Sequence, residues 1–212
     1  MTTTVDFESA RYRMIARDIV ARDVKDRNVI AALASVHREA FVPPTFQHLA
    51  YSDPMALIGR GHYVSQPFVV AAMVQALRLE GGERVLEVGT ECGYTAAVLS
   101  RIAGHVFTLE GDLSLAEAAR VRFLEQGLDN VSVRFGTESQ GLVGEGPYDA
   151  ILISPGGPPV SEMLRAQLVT GGRLVSADGR VQPRTLTREV RRPDGGFSQT
   201  VLSLTSPPIV RS

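Results

Sequence analysis

The sequence is poor in the features that mark specialised classes. It has one cysteine, Cys92, in 212 residues; a single thiol forms no intrachain disulfide and gives no sign of a secreted scaffold. No apolar run approaches the ~20 residues of a membrane span, and the opening stretch MTTTVDFESA is polar and acidic, without a signal-peptide pattern. Charge is balanced, 22 Lys and Arg against 23 Asp and Glu, so no surplus draws the chain to nucleic acid or to an anionic membrane. The small basic cluster of Arg188, Arg191 and Arg192 reads as a solvated strand face. No second His or Cys stands at ligand spacing, so no metal site is expected. Internal repeats and low-complexity tracts are missing as well. What is present, 44% apolar and 21% charged residues, suits one globular domain with a real core. A cytoplasmic protein is the expectation.

Hydrophobic spacing predicts a helix from Ala10 to about Ala21, with Met14, Ile15 and Ile19 on one side. Asp26 can cap a second helix carrying Val29, Ile30, Leu33 and Val36, and FVPPTF ends it because two prolines cannot continue a helix. Pro43 to Gln66 reads as a long irregular stretch, a length usually reserved for functional loops. Pro67, with Gln66 at the cap, opens an almost wholly apolar helix. From Glu83 strands and helices alternate: RVLEVG, YTAAVLSRIA, HVFTLEG, LSLAEAARVRFLEQG, VSVRFG, YDAILIS, a short helix from Val160 to Leu168, and GGRLVSA. Ser114 and Glu117 form a capping box, and Gly127 stands at that helix's end. TLTREVR and FSQTVLSLT around a Pro-Asp-Gly-Gly turn predict an antiparallel hairpin at one edge. The expected fold is α/β, a mostly parallel sheet with helices on both faces. A single domain is expected, with residues 1–66 as an N-terminal helical extension and substrate loop and 67–212 as the α/β core.

The stretch RVLEVGTECGY places a strand, a tight turn and a helix in succession, the arrangement of many nucleotide pockets. A G-x-G-x-x-G fingerprint would need a glycine where Glu91 and Cys92 stand, between Gly89 and Gly93, and a G-x-x-x-x-G-K-[ST] loop is missing. NAD and ATP are therefore disfavoured. Glu87 closes the first strand and Glu110 the second, 21 residues after Gly89. An acid at the end of the second strand is placed to accept from ribose hydroxyls. Ribose recognition without pyrophosphate recognition suggests adenosine with a small cationic tail, and S-adenosylmethionine fits that description. Glu91 is the misfit, because a side chain at positive φ costs roughly 1–2 kcal/mol.

These pieces, in this order, resemble the protein-L-isoaspartate (D-aspartate) O-methyltransferase family. The likeness runs from about Arg13 to Val175 through VHREAFVPPTFQHLAYSD, LIGRGHYVSQPFVVAAMVQAL, RVLEVGTECGYTAAVLS, LDNVSVRFG and PYDAILIS; the SQP loop upstream of the methyltransferase turn is its most specific part. The resemblance implies a class I methyltransferase fold. It also implies methyl transfer from S-adenosylmethionine to the α-carboxylate of isoaspartyl residues in damaged proteins or peptides, after which the ester closes to a succinimide. Ser65 matches the family's active-site serine, with His62, Tyr63 and Val64 leading into it as substrate-binding candidates. Glu87, Gly89 and Gly93 match the cofactor turn and Glu110 the ribose acid. Thr137 stands where the family commonly has an Asp near the adenine, and Glu91 where it commonly has Gly. Two other readings follow from these departures: a non-catalytic relative acting as a binding module, and a methyltransferase redirected to another carboxylate.

Overall fold

The computed structural model describes residues 6–52, 56–59, 62–179 and 185–204. Two sheets are present. The larger has seven strands in the order β5-β4-β3-β6-β7-β8-β9, with β3 Arg84–Val88, β4 His105–Glu110, β5 Val131–Phe135, β6 Tyr148–Ile153, β7 Leu168–Ala177, β8 Thr185–Arg191 and β9 Phe197–Ser203. The first five of these pair in parallel and β7-β8-β9 antiparallel, so the C-terminal hairpin extends one edge. Chain order leaves β3 toward β4 and β5 on one side and toward β6 and β7 on the other. The sheet therefore has a topological switch point beside β3, where open α/β sheets take ligands at the carboxyl ends of their strands.

Alternation along the strands divides the core. Val85, Val106, Ala150, Leu152 and Val175 face a cluster with the helices α1 Phe7–Met14, α2 Arg27–Ser35, α3 Pro67–Leu77, α4 Tyr94–Ser100 and α5 Leu113–Glu125. Leu86, Val88, Phe107, Leu109, Ile151, Ile153 and Leu174 face the other side, covered by Leu164 of α6 Glu162–Ala166 with Leu142, Val160 and Phe197. Period-two alternation sends successive side chains to opposite faces. The buried polar residues Glu87, Thr108 and Glu110 thus share the face of Val85 and Val106, beneath α4 and α5.

Several local expectations are corrected. The first helix begins at Phe7 with Asp6 as cap, and after Met14 continues as a π turn, Ile15–Ile19, and a 3-10 turn, Val20–Arg22. Asp26 does cap α2, accepting from the Asn28 and Val29 N–H groups, but α2 stops at Ser35, ahead of the prolines, because Val36 turns extended. The stretch from Pro43 to Gln66 is not irregular throughout. It holds a 3-10 turn, Pro44–Leu49, and an antiparallel two-stranded sheet of β1 Ala56–Gly59 and β2 His62–Val64. Short strands this close in sequence carry too few alternating residues to be read from pattern. The capping box at Ser114 and Glu117 is replaced: α5 starts one residue before Ser114, and Asp112 is its cap, accepting from the Ser114 and Leu115 N–H groups at 2.7 and 3.2 Å. A carboxylate two residues earlier had the better reach to the first free N–H groups.

Candidate functional site

The turn after β3 is built on three left-handed residues: Gly89 at φ 92°, Glu91 at φ 50° and Gly93 at φ 88°. The Gly93 N–H closes it on the Thr90 carbonyl at 2.8 Å. A Cβ on Gly89 would sit 3.2 Å from Ser154 Cβ, and one on Gly93 would meet the Phe123 ring at 2.7 Å. Gly93 is thus required by the packing of α4 on α5. Glu91 adopts the left-handed conformation that glycine tolerates best, and its N–H donates to Glu110 Oε2 at 2.8 Å. The other oxygen of Glu110 accepts from the Asp112 N–H at 3.0 Å. One carboxylate thereby ties the turn after β3 to the turn after β4.

Below the turn, Glu87 is fully buried. The Thr108 hydroxyl donates to Glu87 Oε2 at 2.5 Å, and the Thr90 and Thr108 hydroxyls share a hydrogen bond of 2.6 Å. Glu87 Oε1 has no partner. Burial pushes the Glu87 carboxyl well above its ordinary range; the Thr108 bond opposes this, and the neighbouring Glu91 and Glu110 carboxylates add to it. Cys92 is buried, and burial pushes its thiol up to about 11, which makes it a packing residue rather than a nucleophile.

At the carboxyl ends of β3, β4 and β6 lies a small cleft bounded by Gly89, Glu91, Glu110, Glu138, Ser154 and Gly156, among others. It meets, at Glu138, an open groove lined by Gly111, Phe135, Gly136, Thr137 and Pro158. Three carboxylates line the cleft, and among the described residues neither recess is lined by a lysine or arginine. Such a site disfavours phosphates and suits a cationic ligand with hydroxyls to donate.

The sequence candidates therefore divide by position. Gly89 and Glu110 line the cleft and Thr137 the adjoining groove, whereas Glu87 is buried beneath it and Gly93 packs against Phe123. Glu138, Ser154, Gly156 and Gly157 complete the cleft and were missed as site residues. SPGGP follows β6, the strand beside β3, and Glu138 follows β5; the strand-end rule applied at both places would have found them.

Ser65 follows β2 directly and precedes α3. It is 8% exposed, its carbonyl accepts from Arg38 Nη2 at 2.8 Å, and its hydroxyl bonds to none of the described residues. Val64 is wholly buried in the core, backbone included, so its side chain is a packing element and not a substrate contact. His62 and Tyr63 belong to β2; their side chains lie outside the described part of the structure. No group of three or more His, Cys, Asp or Glu among the described residues is placed to hold a metal ion.

A mixed sheet, parallel from β5 to β7, with its switch point at an acid-lined cleft is the class I methyltransferase fold, and solved structures share it. A protein-L-isoaspartate O-methyltransferase superposes with a TM-score of 0.71 at 24% identity, over 95% of this chain and 66% of that one. A Plasmodium falciparum structure, described as a beta-aspartate methyltransferase in complex with S-adenosyl-L-homocysteine, gives 0.73 at 19% identity, over 94% and 95%. The profile of the protein-L-isoaspartate(D-aspartate) O-methyltransferase family matches residues 9–205. Relatives include protein-L-isoaspartate O-methyltransferase 1 of Rhodopseudomonas palustris, 49% identical over 82% of this chain and 71% of its own length. The protein-L-isoaspartate O-methyltransferase of Methylorubrum populi is 45% identical over 87% of each. The chain belongs to the protein-L-isoaspartate(D-aspartate) O-methyltransferase family.

Proposed function

We infer that the protein is an S-adenosylmethionine-dependent carboxyl O-methyltransferase acting on isoaspartyl residues of proteins or peptides. Family membership supports the reaction, and the cleft lined by Glu91, Glu110 and Glu138 is the observation that carries the cofactor. The residues present fit that group. Glu110 offers carboxylate oxygens for ribose hydroxyls, Glu91 and Glu138 place negative charge where a sulfonium and an ammonium would be held, and Gly89 keeps the wall close to Ser154. Thr137 lines the adjoining groove, where we place the adenine. Glu87 we assign a supporting role under the turn, through Thr108 and Thr90. When bound, S-adenosylmethionine supplies an electrophilic methyl group on sulfur.

The acceptor demands little acid–base chemistry, since its carboxylate is ionised at neutral pH. What the protein contributes is alignment, the main source of rate in such a displacement. We assign Ser65 the role of donating its hydroxyl to one carboxylate oxygen, which leaves the other directed at the methyl. The backbone of His62 and Tyr63 leads toward that position, and we assign it to the peptide acceptor. No observation favours a degenerate site: the turn accommodates Glu91 at φ 50° with its N–H satisfied by Glu110.

Thermal melting with S-adenosylhomocysteine tests the cofactor assignment. Ligand at 100-fold over Kd adds about 2.7 kcal/mol, a rise of roughly 5–10 °C for a domain of this size. No shift at millimolar ligand contradicts it. Ser65→Ala is expected to keep that shift while losing at least about tenfold in kcat on an isoaspartyl peptide; unchanged turnover contradicts the serine's role.

A further inference from the structure

We infer that Arg38 is a positioning residue for methyl transfer, holding the Ser65 carbonyl so that the serine hydroxyl meets the acceptor carboxylate in one orientation. The inference rests on the role assigned to Ser65. Arg38 lies in the 3-10 turn Arg38–Phe41 and is only 1% exposed. Its Nε donates to the Ala50 carbonyl at 2.7 Å and its Nη2 to the Ser65 carbonyl at 2.8 Å. Its guanidinium carbon stands 4.5 Å from the centroid of the Tyr94 ring, and Tyr94 is the first residue of α4, directly after the cofactor turn. Among the described residues Nη1 has no partner and no ion pair includes Arg38.

Packing alone does not call for this side chain. A buried cation without an acid is unfavourable, and an apolar residue of similar volume would fill the space at less cost. What a guanidinium supplies is a rigid planar fork. Here the fork joins carbonyls 12 and 27 residues away in the chain and stands over the ring that starts α4. The Ser65 backbone and the first residue of the helix beside the cofactor turn thereby meet the same guanidinium. Arg38 touches no reacting atom; its effect passes through the Ser65 backbone. An ammonium carries its three donors on one atom of a flexible stem and lacks the rigid fork that fixes the two carbonyls relative to each other.

The test compares Arg38→Lys, Ser65→Ala and the double variant in the full chain. Readings are kcat and KM on an isoaspartyl peptide, Kd for S-adenosylhomocysteine by calorimetry, and the melting midpoint. Arg38→Lys is expected to lower kcat by about tenfold or more, as misplacement of a reacting group does, with Kd for S-adenosylhomocysteine within about twofold of wild type. The double variant is expected to be no slower than Ser65→Ala alone. A folded Arg38→Lys protein with kcat within twofold of wild type overturns the inference, and so does a double variant in which the two losses multiply. Ser65→Ala with wild-type kcat overturns the serine assignment, and this inference with it. If Arg38→Lys does not fold, Arg38→Gln, neutral and able to donate to one carbonyl, is read in its place against the same outcomes.

Discussion

Replacing Gly93 by alanine tests whether that glycine serves the packing of α4 rather than the ligand. Its φ of 88° is left-handed, and a Cβ there meets Cε1 and Cζ of Phe123, each at 2.7 Å. Phe123 is 3% exposed and sits in the core cluster with Ala116 and Ala119, so the ring has little room to withdraw. Left-handed backbone costs a side chain about 1–2 kcal/mol, and overpacking a dense core about 1–3 kcal/mol. Gly93→Ala should therefore lose roughly 2–5 kcal/mol in urea unfolding, the denaturant midpoint falling without a change in slope. The melting midpoint should drop by about 2–4 °C for each kcal/mol. Phe123→Leu removes the clashing ring atoms, so the double variant should be more stable than additivity predicts by at least about 1 kcal/mol. A loss under about 1 kcal/mol, or an additive cycle, would refute the reasoning.

Glu91→Gly relieves left-handed strain of about 1–2 kcal/mol but frees the unfolded chain by about 0.5–1 kcal/mol, so thermal melting should show a net gain of up to about 1.5 kcal/mol; a loss contradicts this. Glu87, raised above the ordinary carboxyl value by burial and by Glu91 and Glu110, keeps a proton in the fold that the unfolded chain has released. Its contribution to stability therefore falls as pH rises from the ordinary carboxyl value up to the raised one. Glu87→Gln removes that slope: melting midpoints should favour the variant more at pH 8 than at pH 5, and an equal difference at both would be inconsistent with a raised carboxyl. Asp112→Ala should cost about 1 kcal/mol as a lost helix cap; if Ser114→Ala costs more in the same unfolding assay, the cap is misassigned.

The alternation of apolar strands with helices is a repeated signal, and it made the parallel sheet and its C-terminal hairpin legible from sequence. Glu110 was legible as well, because strand ends in such a sheet face the cleft. Glu87 was legible in position but not in environment: chain order alone does not reveal that Thr108, 21 residues on, covers it. Gly93 reads in sequence as a cofactor glycine, and only the fold brings up Phe123 behind it. Arg38 was the least legible. A lone arginine in VHREAF reads as surface by composition, and its burial depends on carbonyls supplied by two later segments. Asp112 and Ser114 were both chemically able to cap α5, and the chain's path after Glu110 decided between them.

The most direct test of the central claim is transfer of labelled methyl from S-adenosylmethionine to a peptide carrying one isoaspartyl residue, beside the same peptide with normal aspartate. The account predicts base-labile methyl ester on the isoaspartyl peptide, little on its aspartyl twin, and inhibition by S-adenosylhomocysteine. A folded protein that binds S-adenosylhomocysteine yet labels neither peptide, or labels both equally, would contradict it.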